Sequence, residues 1–417
     1  MNTGRKETDV TSSLQVKFTR VEHRLRGTIR WSGILAASTG LAAVFMFLTH
    51  IVAVRVLSTA DYGEFSSAIA LVGIVGVAAS SVQAVTVREV KGALIAPTVR
   101  KATNWEGIYL ALIALTVSIA SFLLFRVSLS TAALLALWVP VAVLLARANG
   151  EVQGRELQLL LHGGTTLIAL TSLVSSSVFA LIAPEVDIFL LGRLCVTAVF
   201  STLFLRLVRV PISRGLQFLS PGIVQSTAIV SSMWFAANLD VLMGRVVLDE
   251  DSVGQIAVAA LLVNSVLLMP GLIASVVYPK AVESAGNPQK IIRLLTSSVG
   301  LAAGLQLLVA LALLVTSDGL IDWLAGDGHD EAKRLVFPLA LAYIPIGSSI
   351  VMSQFLLAFG RMIHCVLFVL LVVGAACLTI SGRTTASGFV NILNLASWTL
   401  AAGLIALLVA CVRRRNV

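Results

Sequence analysis

A chain of 417 residues that is 58% hydrophobic and only 12% charged, with a mean hydropathy of +0.96, carries more apolar side chain than a soluble core can hide. Hydrocarbon is therefore its solvent, and its continuous apolar runs, about twice the ~10-residue alternating segments of a membrane barrel, select helices. The net charge of +9 does not signal a nucleic-acid partner, because the basic residues lie between apolar runs and at the two ends, where they set membrane orientation.

Residues 1–31 form a basic arm with Arg5, Lys6, Lys17, Arg20, Arg24, Arg26 and Arg30, and no small-residue cleavage site follows the first apolar run. The arm is expected in the cytoplasm, with 14–29 either a basic amphipathic helix on anionic headgroups or a loose tail. Twelve apolar spans follow, at approximately 32–54, 66–87, 107–125, 130–147, 158–182, 187–207, 223–247, 255–278, 294–316, 336–356, 362–380 and 387–410. Very short links separate two neighbouring pairs, at Arg126 and around Arg361.

Placing the N-terminus inside and alternating puts most of the 30 basic residues on the cytoplasmic side, among them Arg88, Lys91, Arg100, Lys101, Arg206, Arg209 and Arg214. Arg55, Arg126, Arg245, Lys333, Arg334 and Arg383 fall outside, together with the acidic Asp249, Glu250, Asp251, Asp318, Asp322 and Asp327. A bias of that size supports an even helix count with both termini cytoplasmic. The exterior loops are short, which excludes an extracellular domain. Cys195, Cys365, Cys377 and Cys411 are scattered, without zinc-ligand spacing or a disulfide framework.

The chain repeats itself. Arg55-Val-Leu-Ser-Thr-Ala-Asp-Tyr-Gly63-Glu-Phe leads into one apolar span; Arg245-Val-Val-Leu-Asp-Glu-Asp-Ser-Val-Gly254-Gln-Ile leads into another. The offset is close to half the chain and spans six helices, so both copies have the same membrane orientation and the repeat is parallel. This divides the chain into an N-terminal six-helix lobe, 32–210, and a C-terminal six-helix lobe with a short basic tail, 211–417. Two such lobes with a cavity between them suit alternating access.

At these repeats the sequence resembles the Wzx-type polysaccharide flippases of the multidrug/oligosaccharidyl-lipid/polysaccharide exporter superfamily. Arg55–Phe65 is similar to that family's first exterior loop. Asn238-Leu-Asp240 with Gly244-Arg245, Gly254 and Pro270 is similar to its seventh and eighth helices. Ala146-Arg-Ala-Asn-Gly150-Glu-Val-Gln-Gly154-Arg155 resembles the loop after its fourth helix, Leu324-Ala-Gly326 the segment before its tenth, and Ala358-Phe-Gly360-Arg361 the loop after the tenth. The similarity runs from residue 32 onward. It implies an all-α membrane protein of about 12 helices in two pseudo-symmetric six-helix bundles, as in MATE transporters, lying in a bacterial inner membrane. It also implies a substrate, an undecaprenyl-diphosphate-linked oligosaccharide repeat unit, carried across the bilayer for exopolysaccharide, capsule or O-antigen assembly beside a polymerase and export complex.

Moving a hydrated sugar and a diphosphate through a low-dielectric slab demands a polar or cationic cavity, so polar residues inside spans are the candidates. Asp240 and Arg193 are the acid and the base set well within spans, each roughly 10 Å from the exterior end at ~1.5 Å per residue. They are expected to approach each other, or to share the cavity, in one state of the cycle; a static ion pair is the structural alternative. His50 aligns with Asp240 across the repeat. Trp234 and Asn238, four apart on one helix face, suit stacking and hydrogen bonding to sugar, and Gln83 is an intramembrane amide. No catalytic constellation, metal cluster, nucleotide loop or cofactor motif is present in the sequence. An ion-coupled multidrug antiporter is the nearest rival reading; a membrane polymerase or ligase ranks below it.

Overall fold

The structure is a computed structural model that describes residues 37–93, 104–155, 157–207, 231–284, 287–358 and 385–415. The basic arm and the eleventh predicted span, 362–380, lie outside the described residues, as does the start of the seventh.

The described chain is helical almost throughout, as a bilayer requires. The N-terminal lobe contains α1 (Ala37–Val56), α2 (Thr59–Ala93), α3 (Asn104–Phe125), α4 (Leu129–Gly154), α5 (Gln158–Ile182) and α6 (Val186–Leu207). The C-terminal lobe contains α7 (231–237), α8 (Leu239–Val247), α9 (Glu250–Glu283), α10 (Pro288–Ala325), α11 (Asp330–Ala358) and α12 (Ala386–Arg415). Among the described residues, nine helices are long and apolar enough to cross a membrane, and Leu112–Phe125 of α3 forms a shorter apolar stretch.

Each predicted span inside the described residues has a helix on it, and the seventh is broken at Asn238 into α7 and α8. Several helices outrun the hydropathy signal: α2 has 35 residues, α9 34 and α10 38. Hydropathy marks only the ~20 residues in hydrocarbon, and the polar residues beyond them continue the helix. Lipid-facing side chains stay bare, as at Leu181 and Val315, 88% and 83% exposed.

The two repeat helices start with the same device in mirrored form. Before α2, the Ser58 hydroxyl accepts from the Asp61 N–H at 3.2 Å and donates to the Asp61 carboxylate at 2.6 Å. Before α9, Asp249 accepts from the Ser252 N–H at 3.0 Å, the acid and the hydroxyl having exchanged places. Both satisfy a free N–H of the first helical turn. The Ser252 bonds hold the Asp249 carboxyl below the ordinary carboxylate range.

At this end the lobes touch. A side chain on Gly63 would stand 3.0 Å from the Gly254 nitrogen, and one on Gly254 would collide with the Thr59 carbonyl. Glycine at both repeat-related positions lets α2 and α9 cross backbone to backbone, the small-residue solution of membrane helices. One hydrophobic core, from Tyr62, Phe65 and Phe189 to Ile256, Tyr343 and Phe389, runs through both lobes at this end. Towards the other end it divides into two separate clusters. One lies in the N-terminal lobe, with Ala148, Val152, Leu161 and Phe204. The other lies in the C-terminal lobe, with Met233, Val277, Phe355 and Leu404. In step with this, residues 253–263 of α9 are buried at all positions but Gln255, whereas Asn264, Leu268, Leu272 and Val276 are exposed. Among the described residues, the lobes share a core at one end and have separate cores at the other, the splayed end.

Gly254→Ala pushes a methyl into a carbonyl that cannot step aside. It should cost about 1–3 kcal/mol, the usual penalty of overpacking, seen as a lower melting temperature of the purified protein; an unchanged melting temperature would contradict this account of the crossing.

Candidate functional site

The joined end is closed by two arginines at equivalent repeat positions, each reaching into the other lobe. Arg55, in the last turn of α1, donates through Nε to the Leu324 carbonyl at 3.0 Å and through Nη2 to the Trp323 carbonyl, at the C-terminal end of α10. Arg245, in the last turn of α8, donates through Nη2 to the Arg126 carbonyl at 3.1 Å, just past the C-terminal end of α3. In each case a cation meets the carbonyl end of a helix dipole, where positive charge is favoured.

The next repeat pair, Glu64 and Gln255, extends the pattern. Glu64 accepts from the Ser128 N–H at 2.8 Å, at the start of α4; Gln255 accepts from the Ala332 N–H at 3.1 Å, at the start of α11. The copies differ in charge. Glu64 also takes Arg245 at 3.2 Å, with the two side chains 14% and 4% exposed, while the neutral Gln255 offers Arg55 no such partner. One clasp is thus an ion pair and the other is made of dipoles. Arg245 Nε and Nη1 are buried without hydrogen-bond partners, so the ionic clasp is incompletely satisfied and its net hold is modest.

Behind this end lie the intramembrane polar residues. His50 of α1 pairs its Nδ1 with the Tyr62 hydroxyl at 3.3 Å and stands edge-on to Phe65. Asp240, 1% exposed in the first turn of α8, accepts from the Tyr343 hydroxyl at 2.8 Å, and its Oδ1 is buried without a hydrogen-bond partner. Gln306 of α10 holds the Tyr343 carbonyl at 2.9 Å, so Asp240 is tied to α11 and α10 in the C-terminal core. His50 and Asp240, aligned by the repeat, both bond to a tyrosine hydroxyl, but the tyrosines come from non-equivalent helices.

Arg193 sits elsewhere. It lines a cavity of about 300 Å³ enclosed by α1, α2, α4, α5 and α6, inside the N-terminal lobe. Its guanidinium lies 6.0 Å from the centre of the Trp138 ring, at cation–π range. Thr49, Gln83, Asn149, Thr165, Ser172 and Thr197 also line the cavity. Gln83 donates to the Gln153 side chain at 2.8 Å across α2 and α4. Arg193 and Asp240 form no ion pair in this conformation: Arg193 faces Trp138 within one lobe and Asp240 faces Tyr343 within the other.

Trp234 and Asn238 mark the boundary between the lobes. The Trp234 indole, 42% exposed, reaches from α7 to donate to the Ala70 carbonyl of α2 at 3.3 Å, over the space that Gly73 leaves open. Asn238 donates to the Trp234 carbonyl at 2.8 Å, where α7 gives way to α8. The structure therefore brings Arg193 and Gln83 to one cavity, keeps Asp240 in the opposite core and leaves Trp234 between them. Sequence reasoning missed Tyr343, Trp138, Asn149 and Glu64. Glu64 was within the repeat motif, and its alignment with a glutamine was the available signal. The described residues contain no metal-binding cluster.

No family model matches the sequence, and no curated protein does. Solved structures match its fold over nearly the whole chain. An inward-facing conformation of a multidrug resistance MATE family transporter of the MOP superfamily has a TM-score of 0.66 at 14% identity, covering 90% of this chain and 95% of that one. The lipid II flippase MurJ in an inward closed conformation has a TM-score of 0.62 at 12% identity, covering 92% and 89%. The eukaryotic MATE transporter AtDTX14 has 0.60 at 14% identity, covering 93% and 98%. The chain thus has the two-bundle MATE fold.

Because Arg245 is buried against Glu64 and Arg55 is exposed against carbonyls, truncating them should differ. Arg245→Ala should cost about 1–3 kcal/mol by stranding Glu64, and Arg55→Ala less than about 1 kcal/mol. Thermal unfolding of the two variants beside wild type measures this; equal losses would remove the distinction between the clasps.

Proposed function

We propose that this protein carries a lipid-linked oligosaccharide across a bacterial inner membrane by alternating access, its clasped end facing the periplasm. The observation that carries the reading is the one-ended closure. The lobes share a core and reciprocal arginine contacts at the Gly63–Gly254 end and separate into two cores at the other. By the distribution of basic residues, the splayed end is cytoplasmic, and the conformation is open towards the side on which lipid-linked sugars would be made. Both the MATE transporter and MurJ, whose fold this chain shares, were captured inward.

Two features favour a glycosylated, anionic substrate over a cationic drug. Trp234, bonded from α7 to α2, stays 42% exposed and offers aromatic surface for stacking on a sugar ring. Among the described residues the lining of the cavity includes Arg193 and no carboxylate, which repels cations. The polyprenyl tail would stay in the lipid while the head passes between the lobes, and a polymerase or export complex would take the product on the far side. The multidrug antiporter reading has one observation of its own, the buried Asp240 with its unpartnered oxygen, a group that could take up a proton or a cation when the lobes rearrange.

A strain lacking the protein should accumulate the lipid-linked repeat unit on the cytoplasmic leaflet and lose surface polysaccharide, and the gene carrying Asp240→Ala should insert normally yet fail to restore it. Normal surface polysaccharide with altered sensitivity to cationic drugs would replace this reading with the antiporter one.

A further inference from the structure

We infer that the cavity inside the N-terminal lobe is a phosphoryl-anion site in which Arg193, braced on Trp138, is the anion-binding residue; this rests on the reading of the protein as a carrier of a lipid-linked diphosphate.

The argument starts from charge. Arg193 stands seven residues into α6, roughly 10 Å from its start at ~1.5 Å per residue. A guanidinium at that depth keeps its charge and is costly without a partner. Two other arginines resolve this within the protein: Arg245 has Glu64, and Arg55 has the carbonyls of α10. Arg193 has neither. Among the described residues no carboxylate or carbonyl takes its N–H groups, and its contact is the face of Trp138. The nearest acid on its own helix, Asp187, is bonded to the Thr131 hydroxyl at 2.8 Å. The titratable group from a neighbouring element close enough to feel its charge is His50, which brings no negative charge and is bonded to Tyr62. The site is a cation with its counter-charge left out.

The surroundings define what would supply it. An aromatic ring beside a guanidinium attracts its charge without using its N–H donors, which remain free for a bidentate acceptor. Asn149 and Ser172 line the same cavity and carry neutral donors, as does Gln83 through the amide N–H not spent on Gln153, while the Thr49 and Thr197 hydroxyls already donate to the Phe45 and Arg193 carbonyls. The free donors suit the several oxygens of a phosphoryl group. A volume of about 300 Å³ admits a diphosphate with a few waters. Gly73 and Gly76 of α2 line it as well, and Gly73 is also the residue over which Trp234 lies. The cavity therefore adjoins the boundary between the lobes. With the phosphoryl group inside, the sugar would lie beside the exposed indole of Trp234. This assigns anion and sugar to separate places: one within a lobe, the other between lobes.

A phosphoryl group could come from the prenyl diphosphate of the substrate or from a membrane phospholipid. The test uses the full-length protein purified in a neutral detergent. Titration calorimetry is run with inorganic pyrophosphate, with farnesyl diphosphate and with dihexanoylphosphatidylglycerol. Saturable binding of pyrophosphate and farnesyl diphosphate is expected, weakened ten- to hundredfold by Arg193→Gln and only partly by Arg193→Lys, which keeps the charge and loses the fork. Asn149→Asp places a negative charge in the cavity wall without changing its shape. It should also weaken binding at least about tenfold, and it decides the matter should Arg193→Gln fail to fold. Tighter binding of farnesyl diphosphate than of the phosphatidylglycerol assigns the site to the substrate; the reverse order keeps the phosphoryl site and overturns its assignment to the substrate. No saturable binding to wild type, or equal binding to wild type and both cavity variants, overturns the inference. The outcome is separable from the transport reading. A strain without the protein that keeps its surface polysaccharide refutes transport while Arg193-dependent binding stands, and a strain that loses it while the variants bind normally refutes only the site.

Discussion

Two bundles of apolar helices in lipid have little hydrophobic reason to associate, because lipid tails are as apolar as the side chains that would replace them. Their contact must come from close packing and from polar groups that hydrocarbon cannot satisfy. The Gly63–Gly254 crossing provides the first, since without side chains there α2 and α9 meet through their backbones. The arginines provide the second, since each answers carbonyls at a helix end in the other lobe. Much of the remaining architecture depends on this. The shared core from Tyr62 to Phe389 exists because the helices are held close at that end, and at the other end, among the described residues, nothing comparable joins the two separate cores.

The repeat explains why the contact can be both firm and reversible. A duplicated sequence gives each lobe the same parts: a cap, a glycine, an arginine and a polar residue that receives the start of the next helix but one. Divergence then made the parts unequal. Ser58 and Asp61 exchanged roles as Asp249 and Ser252, with little electrostatic consequence at the cap itself. Glu64 against Gln255 is a larger change, because it leaves one ion pair where symmetry would have given two. A single partly satisfied ion pair and a set of dipole contacts total a few kcal/mol. That is the scale on which a two-state equilibrium can be shifted by a ligand that binds one state better.

The fold was legible because its determinants are local in sequence. Runs of ~20 apolar residues mark spans whatever they pack against, and the Arg-to-Gly spacing of the two loops exposed the duplication. The limits of α2, α9 and α10 were not legible, because polar residues outside hydrocarbon continue a helix without an apolar signal. The site was legible as a set of residues and not as an arrangement. Arg193 and Asp240 stood out as charges within spans, but what each one touches is decided by the packing of α6 on α4 and by the approach of α11 to α8. Trp138 and Tyr343, the side chains these two charges touch, lie in apolar runs where an aromatic residue is unremarked.

The separation of these two charges is itself informative. A cation without an anion and an acid without a cation would neutralise each other if they met, and a bundle built only for stability would be expected to let them. Here one is enclosed within the N-terminal lobe and the other is held by Tyr343 and, through it, Gln306 in the C-terminal core. As proposed, each demand for counter-charge is met from outside the protein, by an anion for Arg193 and by a proton or cation for Asp240. On the proposed reading these are substrate and driving ion, kept in different lobes, so that each can be exchanged without the pair collapsing into a salt bridge that would hold the transporter in one state.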